Sequence, residues 1–313
     1  MSPTRTPSMR TAALALSLTG AALLTATTGP AFAAARPIDQ TVAVDADARI
    51  DVSNIKGSVT VVVWDRDEVA ISGTLGDGSK GLTVDGGGSH LTVRVEPPEK
   101  SGWFSWGADS RMGETTLRLS VPRRAELEIE VVSASVDVDG TAGRRLSVES
   151  VSGALRLAGQ PGECDLSSVS GRIEVGGCRE RLDVESVSGN IRVRDAGGEL
   201  EFETVSGDID VETTRYRKLS AGTVSGTIAI RGELDPDGRV EIESMSGDVS
   251  LQIAADASVD LHAETFSGRI RSDFGTVRSE DHGPGRSLDT KIGSGGARVR
   301  IETFSGGIGI TRR

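Results

Sequence analysis

One short phrase recurs through the second half of this chain at an almost constant interval. The phrase reads Glu-Ser-Val-Ser-Gly, with substitutions, and an aliphatic residue follows its glycine by two positions. Successive phrase glycines are 18, 18, 18, 19, 21, 21 and 38 residues apart; they are Gly153, Gly171, Gly189, Gly207, Gly226, Gly247, Gly268 and Gly306. A fixed period of this size is typical of a stack of similar coils. Because 38 is twice 19, the last gap predicts one further copy whose sequence has drifted.

Within one period, apolar and polar residues alternate as they do in strands with one buried face. The apolar positions of one period are Leu146, Val148, Leu155 and Leu157, and residues 159–162 form a turn cluster. Ordering one 18-residue period costs about 18–36 kcal/mol of backbone entropy. Four or five buried aliphatic side chains return only about 1.5–3 kcal/mol each, so a coil needs neighbours. The sequence therefore predicts an all-β fold, a parallel β-solenoid (β-helix-like) with two short strands per 18–21-residue coil.

The phrase also predicts a column of apolar side chains along the stack. The residue two before each glycine is expected to face inward at the corner; these residues are Val151, Val169, Val187, Val205, Val224, Met245, Phe266 and Phe304. The glycine itself is expected to allow either a positive φ or a close approach of the backbone.

A second column consists of glutamates four residues before the glycine. These are expected to face outward and are Glu149, Glu185, Glu203, Glu243, Glu264 and Glu302. Because stacked like charges are destabilising, Arg156, Arg172 and Arg192 on the next strand are expected to compensate them. We interpret the column as a solvated face with local ion pairs, with binding of divalent cations or a basic polymer as the alternative.

The N-terminal part of the chain keeps the strand pattern but loses the strict period. Residues 34–130 form this irregular part and residues 131–313 the regular repeats, within one continuous domain over 41–313. The segment 55–59 looks like a degenerate copy of the phrase. Atypical terminal repeats are expected, because an open end of a stack is an edge that must be capped. The last strand, 307–313, is expected to form the opposite edge.

Residues 1–33 have the pattern of a secretory signal peptide. Arg5 and Arg10 precede an apolar stretch over 11–26, and Ala31-Phe32-Ala33 is a small-x-small cleavage site. The apolar stretch is shorter than the about 20 residues that a membrane span needs, although a retained anchor is the alternative. The sequence predicts a secreted or envelope-associated protein, cleaved near Ala33, with no membrane span in the mature chain.

The charge of the chain argues against nucleic acid as a partner. Removing the signal peptide takes away two arginines and no acid, which changes the formal charge from −11 to −13. Nucleic-acid binding needs clustered basic residues. No cofactor or metal is predicted, because His90, His262 and His282 fall in unrelated parts of the repeat. His282, beside Glu280 and Asp281, is interpreted as part of a flexible loop, and residues 85–88 lack the pattern of a repeat calcium site.

The two cysteines of an exported chain suggest a disulfide. Cys164 and Cys178 precede leucines of successive repeats, which places both in the same corner of neighbouring coils. Coils stack about 4.8 Å apart, a spacing compatible with disulfide geometry. Two buried thiols are the alternative.

Residues 97–113 interrupt the strand pattern with an aromatic cluster. Trp103, Phe104 and Trp106 lie close together in a loop rich in glycine and serine. They are the candidate binding residues, as an exposed patch for a glycan ring or a protein. The alternative is a cap over the open end of the stack.

Several runs of the sequence resemble one bacterial family. Leu117-Arg118-Leu119-Ser120-Val121-Pro122, followed by repeated Val-Ser-Gly-x-Ile-x-Val, resembles the "putative adhesin" family known as domain of unknown function 4097. The segments 292–296 and 301–306 are similar to that family's C-terminal signature, and the resemblance covers residues 41–313. It implies an envelope-associated or secreted β-repeat protein with no established catalytic residues. The aromatic cluster is not part of the family pattern.

Together these features favour a non-enzymatic adhesin or interaction scaffold, with a cell-wall polymer, a glycan or a surface protein as partner. A carbohydrate-active β-helix enzyme is the first alternative, but a glycosidase needs one carboxylate pair at a defined separation, which a regular row does not single out. A structural or envelope-stress component that acts through a partner is the second. No catalytic residue and no oligomeric state are predicted.

Overall fold

Parallel pairing between neighbouring coils dominates this protein, which we describe from a computed structural model. The structure describes residues 36–98, 112–279 and 283–313. Residues Ala35–Arg313 form one compact unit. The described residues are strands and turns, so the predicted all-β class is confirmed. Within these ranges, no helix has the length and apolar character that crossing a membrane requires.

The first five strands build the N-terminal end of the stack. They are β1 (Arg36–Trp64), β2 (Glu68–Leu75), β3 (Gly81–Glu96), β4 (Thr115–Pro122) and β5 (Glu126–Asp139). β1 pairs in parallel with β5 on one side and with β3 and β4 on the other, so the chain's second coil lies outside its first. β2 runs antiparallel to β4 and to the start of β1, and it covers part of this end. Gly57 pairs with Ala134 in the register of the phrase glycines.

The central coils stack residue on residue. Their strands are β6 (Arg145–Ser152), β7 (Leu155–Ala158), β8 (Glu163–Ser170), β9 (Ile173–Cys178), β10 (Arg181–Ser188), β11 (Ile191–Ala196), β12 (Glu199–Ser206), β13 (Ile209–Ser225), β14 (Ile228–Ser246) and β15 (Val249–Ile253). Parallel ladders connect each coil to the next without a shift in register from β6 to β12. The coils from β6 to β11 each contain two short strands, as predicted. In contrast, β13 and β14 each continue past the turn into the following coil.

The C-terminal end does not follow the order of the sequence. Its strands are β16 (Val259–Thr265), β17 (Ile270–Ser272), β18 (Arg278–Ser279), β19 (Arg286–Ile292), β20 (Ala297–Thr303) and β21 (Ile308–Arg312). β20 pairs in parallel with both β14 and β16, and β21 with both β15 and β17. The last coil therefore lies between the two coils that precede it in the chain.

Two sequence predictions are wrong at this end. The 38-residue gap holds no drifted copy, because β19 runs antiparallel to β16 along its outer side. The last strand is not an edge, because β21 has a partner on each side. An antiparallel strand over β16 covers backbone groups that would otherwise be exposed, and the last coil then occupies the place beside β14.

Close approach of the backbone explains the phrase glycines. A Cβ on Gly189 would overlap the carbonyl oxygen of Gly171, and the same relation repeats between neighbouring phrase glycines through Gly306. A positive φ is found at Gly153 and Gly226 but is not general for the column. Of the two reasons that the sequence left open, the contact between coils therefore holds throughout.

A disulfide joins the two ends of one coil. Cys164 is the second residue of β8, in register with Leu182, and Cys178 ends β9 in register with Ala196. The two sulfur atoms are bonded, and the Cα atoms are 6.3 Å apart. Cys164 thus lies on a strand, not in a corner loop, and the bridge closes a single coil where we expected it to link corners of neighbouring coils.

Candidate functional site

A stripe of exposed apolar side chains runs along the phrase corners. Its nine members are 38–56% exposed: Val132, Val151, Val169, Val187, Val205, Val224, Met245, Phe266 and Phe304. All exposed large apolar side chains in the described ranges belong to this apolar stripe. The prediction that these residues face inward is wrong. The alternation that buries Leu146 and Val148 continues to Ser150, so Val151 must point outward.

The inward place at each corner belongs to a serine or threonine. This hydroxyl column is buried and consists of Ser150, Ser168, Ser186, Thr204, Thr223, Ser244, Thr265 and Thr303. The hydroxyls of the first five have no hydrogen-bond partner within the described part of the chain. Those of Thr265 and Thr303 each donate to the carbonyl oxygen of Gly306 at 3.1 Å. The hydroxyl column faces the interior and does not present nucleophiles to the surface.

A column of glutamates runs beside the apolar stripe, two residues earlier on the same outward face. Strand pairing gives its order along the stack: Glu130, Glu149, Ser167, Glu185, Glu203, Gly222, Glu243, Glu302 and Glu264. Ser167 and Gly222 interrupt this glutamate column. The insertion of the last coil brings the three C-terminal glutamates onto neighbouring strands.

The arginines expected to compensate this column pair elsewhere. Arg156 contacts Asp137 at 3.2 Å, and Arg172 contacts Glu174 at 3.6 Å. Arg192 lies between Glu174 and Asp210, at 4.0 and 3.8 Å. The strand after the corner thus neutralises its own acids, and the predicted compensation of the glutamate column is wrong.

Most of the glutamate column lacks a basic partner. No ion pair in the described ranges reaches Glu149, Glu185, Glu203 or Glu243, whereas Glu264 has His262 at 3.7 Å and Glu302 contacts Arg300. Burial, followed by repulsion from nearby carboxylates, raises the pKa of Glu185. From Glu149 to Glu243, the column is therefore a band of negative charge that no ion pair in the described ranges compensates.

The glutamate column from Ser167 onward and the apolar stripe from Val169 onward line a groove of about 920 Å³, with most of the hydroxyl column between them. It extends from the coil of Ser150 to the coil of Phe266. At the C-terminal end the rings of Phe266 and Phe304 stack, with centroids 5.0 Å apart and an interplanar angle of 9°. The order of the chain would place Phe266 next to Met245. The inserted coil instead places Phe304 between them, which gathers the bulkiest side chains at one end of the groove.

The predicted aromatic binding residues, Trp103, Phe104 and Trp106, lie outside the described residues. On either side of the residues left undescribed, β1 pairs with β3 up to Arg94 and with β4 from Thr115, which lies opposite Gly57.

The two histidines within the described ranges do not come together. His90 lies 2.8 Å from Asp51 and His262 lies 2.6 Å from Asp289, at opposite ends of the stack, while His282 is outside the described residues. No group of three or more His, Cys, Asp or Glu side chains that could hold a metal ion occurs in the described ranges.

Sequence reasoning missed two features of the groove. It missed the exposure of the apolar stripe, which counting the alternation onward from Leu146 would have revealed. It also missed Glu130, which precedes Ala134 by four residues, just as each column glutamate precedes its glycine. This copy of the phrase was not recognised, because it has Ala134 where the other copies have glycine.

Comparison with known proteins gives a family and several solved structures of low similarity. Residues 48–311 match the model of the Toastrack DUF4097 family. No curated protein matches the chain. A "putative adhesin" from Parabacteroides merdae is 11% identical over 88% of this chain and 96% of its own, with a TM-score of 0.47. A "putative lipid binding protein" from Parabacteroides distasonis is 15% identical over 88% and 97%, with a TM-score of 0.44.

A third structure, a "putative cell adhesion protein" from Clostridium sporogenes, is 11% identical over 89% of this chain and 100% of its own, with a TM-score of 0.28. Identities and TM-scores this low do not carry a function from these proteins to this one. The family model, in contrast, spans most of the sequence and includes both ends of the stack. The chain therefore belongs to the Toastrack DUF4097 family, as the resemblance of its repeat phrases indicated.

Proposed function

We propose that this protein is a non-enzymatic interaction scaffold that binds a partner along the groove. The observation that carries the proposal is the concentration of all exposed large apolar side chains, among the described residues, in the apolar stripe. Scattered single apolar residues are normal on a protein surface, whereas a continuous exposed patch marks an interaction site. A patch that repeats coil after coil suits a long partner.

The regularity of the groove supports binding without turnover. Each coil offers a similar set of side chains, in which an outward acid or small residue precedes a buried hydroxyl and an exposed apolar residue. Hydrolysis of a glycosidic bond needs two carboxyl groups with different roles at a defined separation. The glutamate column instead supplies at most one carboxylate per coil, with no pair set apart from the rest, so the groove offers a repeated surface along which a partner can lie.

The setting of the scaffold follows from the remaining sequence predictions. We describe the stack of parallel coils as a β-solenoid, a fold that offers long faces for contact. The predicted signal peptide assigns it to the cell exterior or envelope. A cell-wall polymer, a glycan or a surface protein is then the partner that it meets, and an adhesin or an envelope scaffold is its role.

The test is capture by the immobilised full chain from cell-wall fractions and envelope extract. The groove variant Phe266→Ser with Phe304→Ser is compared with a control, Asp137→Asn with Arg156→Gln, which removes an exposed ion pair on the other strand. We expect wild type and control to retain the same partners and the groove variant to lose them. Equal capture by the groove variant would refute the proposal.

The aromatic cluster is tested in the same experiment. A variant with Trp103, Phe104 and Trp106 changed to Ala separates its contribution from that of the groove. If this variant alone loses capture, the contact lies at the aromatic cluster and not at the groove. Release of soluble fragments from the wall fraction by wild type would show turnover and would contradict the non-enzymatic part of the proposal.

A further inference from the structure

We infer that the groove takes a cationic amphipathic α-helix of another protein, with its apolar face on the apolar stripe and its basic residues on the glutamate column. This inference rests on the proposed function, because it names the partner of the same groove. Three observations carry it: the unpaired charge, the spacing of the coils, and the character of the C-terminal end.

The first observation is the charge that the groove leaves unpaired. On the strands after the corner, exposed acids have arginine partners, as in Arg194–Glu212 at 2.6 Å and Arg231–Asp210 at 2.8 Å. On the groove side, Glu185, Glu203 and Glu243 have none. Arginines also lie on the outward face of the groove strands, but they pair with acids at the start of those strands, as in Arg181–Asp183 and Arg239–Glu241, both at 3.3 Å. Within the described ranges, none of them reaches these three glutamates. A partner that brings lysine or arginine relieves the repulsion within the column.

The second observation is the spacing of anchor points along the groove. Neighbouring coils are about 4.8 Å apart, and an α-helix repeats its apolar face every turn of about 5.4 Å. A helix that lies along the groove departs from the coil spacing by about 0.6 Å per turn, so its apolar turns stay within one coil of register over the length of the groove. Residues on one side of an extended strand repeat about every 6.6 Å. An extended partner would therefore lose register with the coils after the first few.

A polyproline II chain fits less well for a different reason. Its turn of about 9.3 Å spans two coils, so it would contact every second member of the apolar stripe and leave the others exposed. From Val169 to Phe266 the groove crosses seven coils, a length of about 29 Å, which corresponds to about 19 helical residues.

The third observation is the bulky C-terminal end. Met245, Phe304 and Phe266 follow one another on neighbouring coils, whereas the preceding positions are valine. Methionine and aromatic side chains adapt to irregular apolar surfaces and supply most of the contact area of helix-binding grooves. The other positions of the apolar stripe are all valine, so the helix is anchored at one end and aligned by charge along the rest.

The same features disfavour other occupants. A second copy of this chain would place one glutamate column against another, and an anionic lipid surface would meet the same repulsion. A neutral glycan can donate hydroxyl hydrogen bonds to the carboxylates, but it brings no positive charge to relieve their repulsion. A basic helix satisfies the charge, the spacing and the apolar stripe together.

The experiment measures binding of a synthetic helical peptide of about 19 residues with leucines at i, i+3, i+4 and i+7 spacing and lysines elsewhere. Fluorescence anisotropy gives its Kd for the full chain. A peptide of the same composition, scrambled so that no helical face is apolar, and a helical leucine–glutamate peptide serve as controls. We expect binding of the first peptide only, weakening as salt is added.

Charge variants locate the contact. Glu203→Gln with Glu243→Gln should raise Kd about fivefold, as expected for two exposed ion pairs. Asp137→Asn with Glu212→Gln changes the net charge equally, on the other strand, and should leave Kd unchanged. Gly222→Glu fills a gap in the column, and a Cβ there meets no atom within 4 Å. It should lower Kd relative to Gly222→Gln by about twofold.

The outcomes separate this inference from the proposed function. Equal binding of the scrambled peptide, or equal effects of the two charge-matched double variants, would overturn the helix partner. If the Phe266→Ser, Phe304→Ser variant still loses its captured partner in that case, the groove is a binding site for another class of ligand. Binding of anionic vesicles or wall polymer instead of the peptide would identify that class.

Discussion

Substitution of one phrase glycine should destabilise the whole stack, although glycine is normally unfavourable in sheet structure. In Gly189→Ala the new methyl group overlaps the carbonyl oxygen of Gly171. The obstacle is backbone and not the end of a flexible side chain, so it cannot rotate aside. The two corners must separate, and the contacts between their coils must stretch with them.

The magnitude follows from what lies beside the corner. Ile173 donates its amide to the carbonyl of Asn190 at 3.0 Å, one residue from the new methyl group. Loss of this hydrogen bond costs about 1 kcal/mol. Overpacking of the new methyl group against the Gly171 carbonyl adds about 2 kcal/mol. We therefore expect the free energy of unfolding to fall by about 3 kcal/mol, or the Tm by about 6 °C in a chain of this size.

Thermal and urea unfolding followed by circular dichroism measure this change. Gly222→Ala is the matched control, because it lies on the same stack and its Cβ would meet no atom within 4 Å. The control should be neutral or gain about 0.5 kcal/mol. If Gly189→Ala loses no more stability than Gly222→Ala, close packing of the corners is not the reason for the glycines.

Two further predictions concern the disulfide and the acids. Replacing Cys164 and Cys178 by Ala should lower the unfolding free energy by about 3 kcal/mol, because the bridge closes a loop with a sequence separation of 14 residues. The urea midpoints of this variant and of the reduced wild type should then agree. A midpoint equal to that of the oxidised wild type would contradict the prediction. Glu185→Gln should stabilise the protein at neutral pH, since burial and neighbouring carboxylates raise the pKa of Glu185 in the folded chain. The folded state then binds more protons than the unfolded state, so wild-type stability falls as pH rises through the raised pKa, and the advantage of the variant should vanish below the ordinary pKa of 4.5. A variant advantage that is constant between pH 4 and pH 8 would show that Glu185 does not titrate this way.

The groove shows how far sequence reasoning reached. The repeat placed Glu149, Glu185 and Glu203 on the outward face, because alternation along a strand is local and can be counted. It placed Val151 on the wrong face, because the Ser-Gly that follows was treated as the corner where alternation stops. The strand in fact continues to Ser152, so Ser150 is buried and Val151 is exposed. Neighbouring corners pack closely, so the inward position accommodates a small hydroxyl residue. The larger valine lies on the outward face instead.

The sequence by itself determined the stack, since an apolar pattern of period 2 within a period of 18 to 21 residues leaves a coil no other way to bury its face. It determined which residues form columns, because in-register parallel pairing places each phrase upon the next. Only the tertiary structure decided the order of the coils. β19 reverses along β16, and the last coil enters between its two predecessors, so Phe304 meets both Met245 and Phe266. Such pairing depends on which strand edge is still unpaired when the last coil folds. Because the repeated phrases are similar, their strands have similar edges, and the sequence does not show which edge the last coil will pair with.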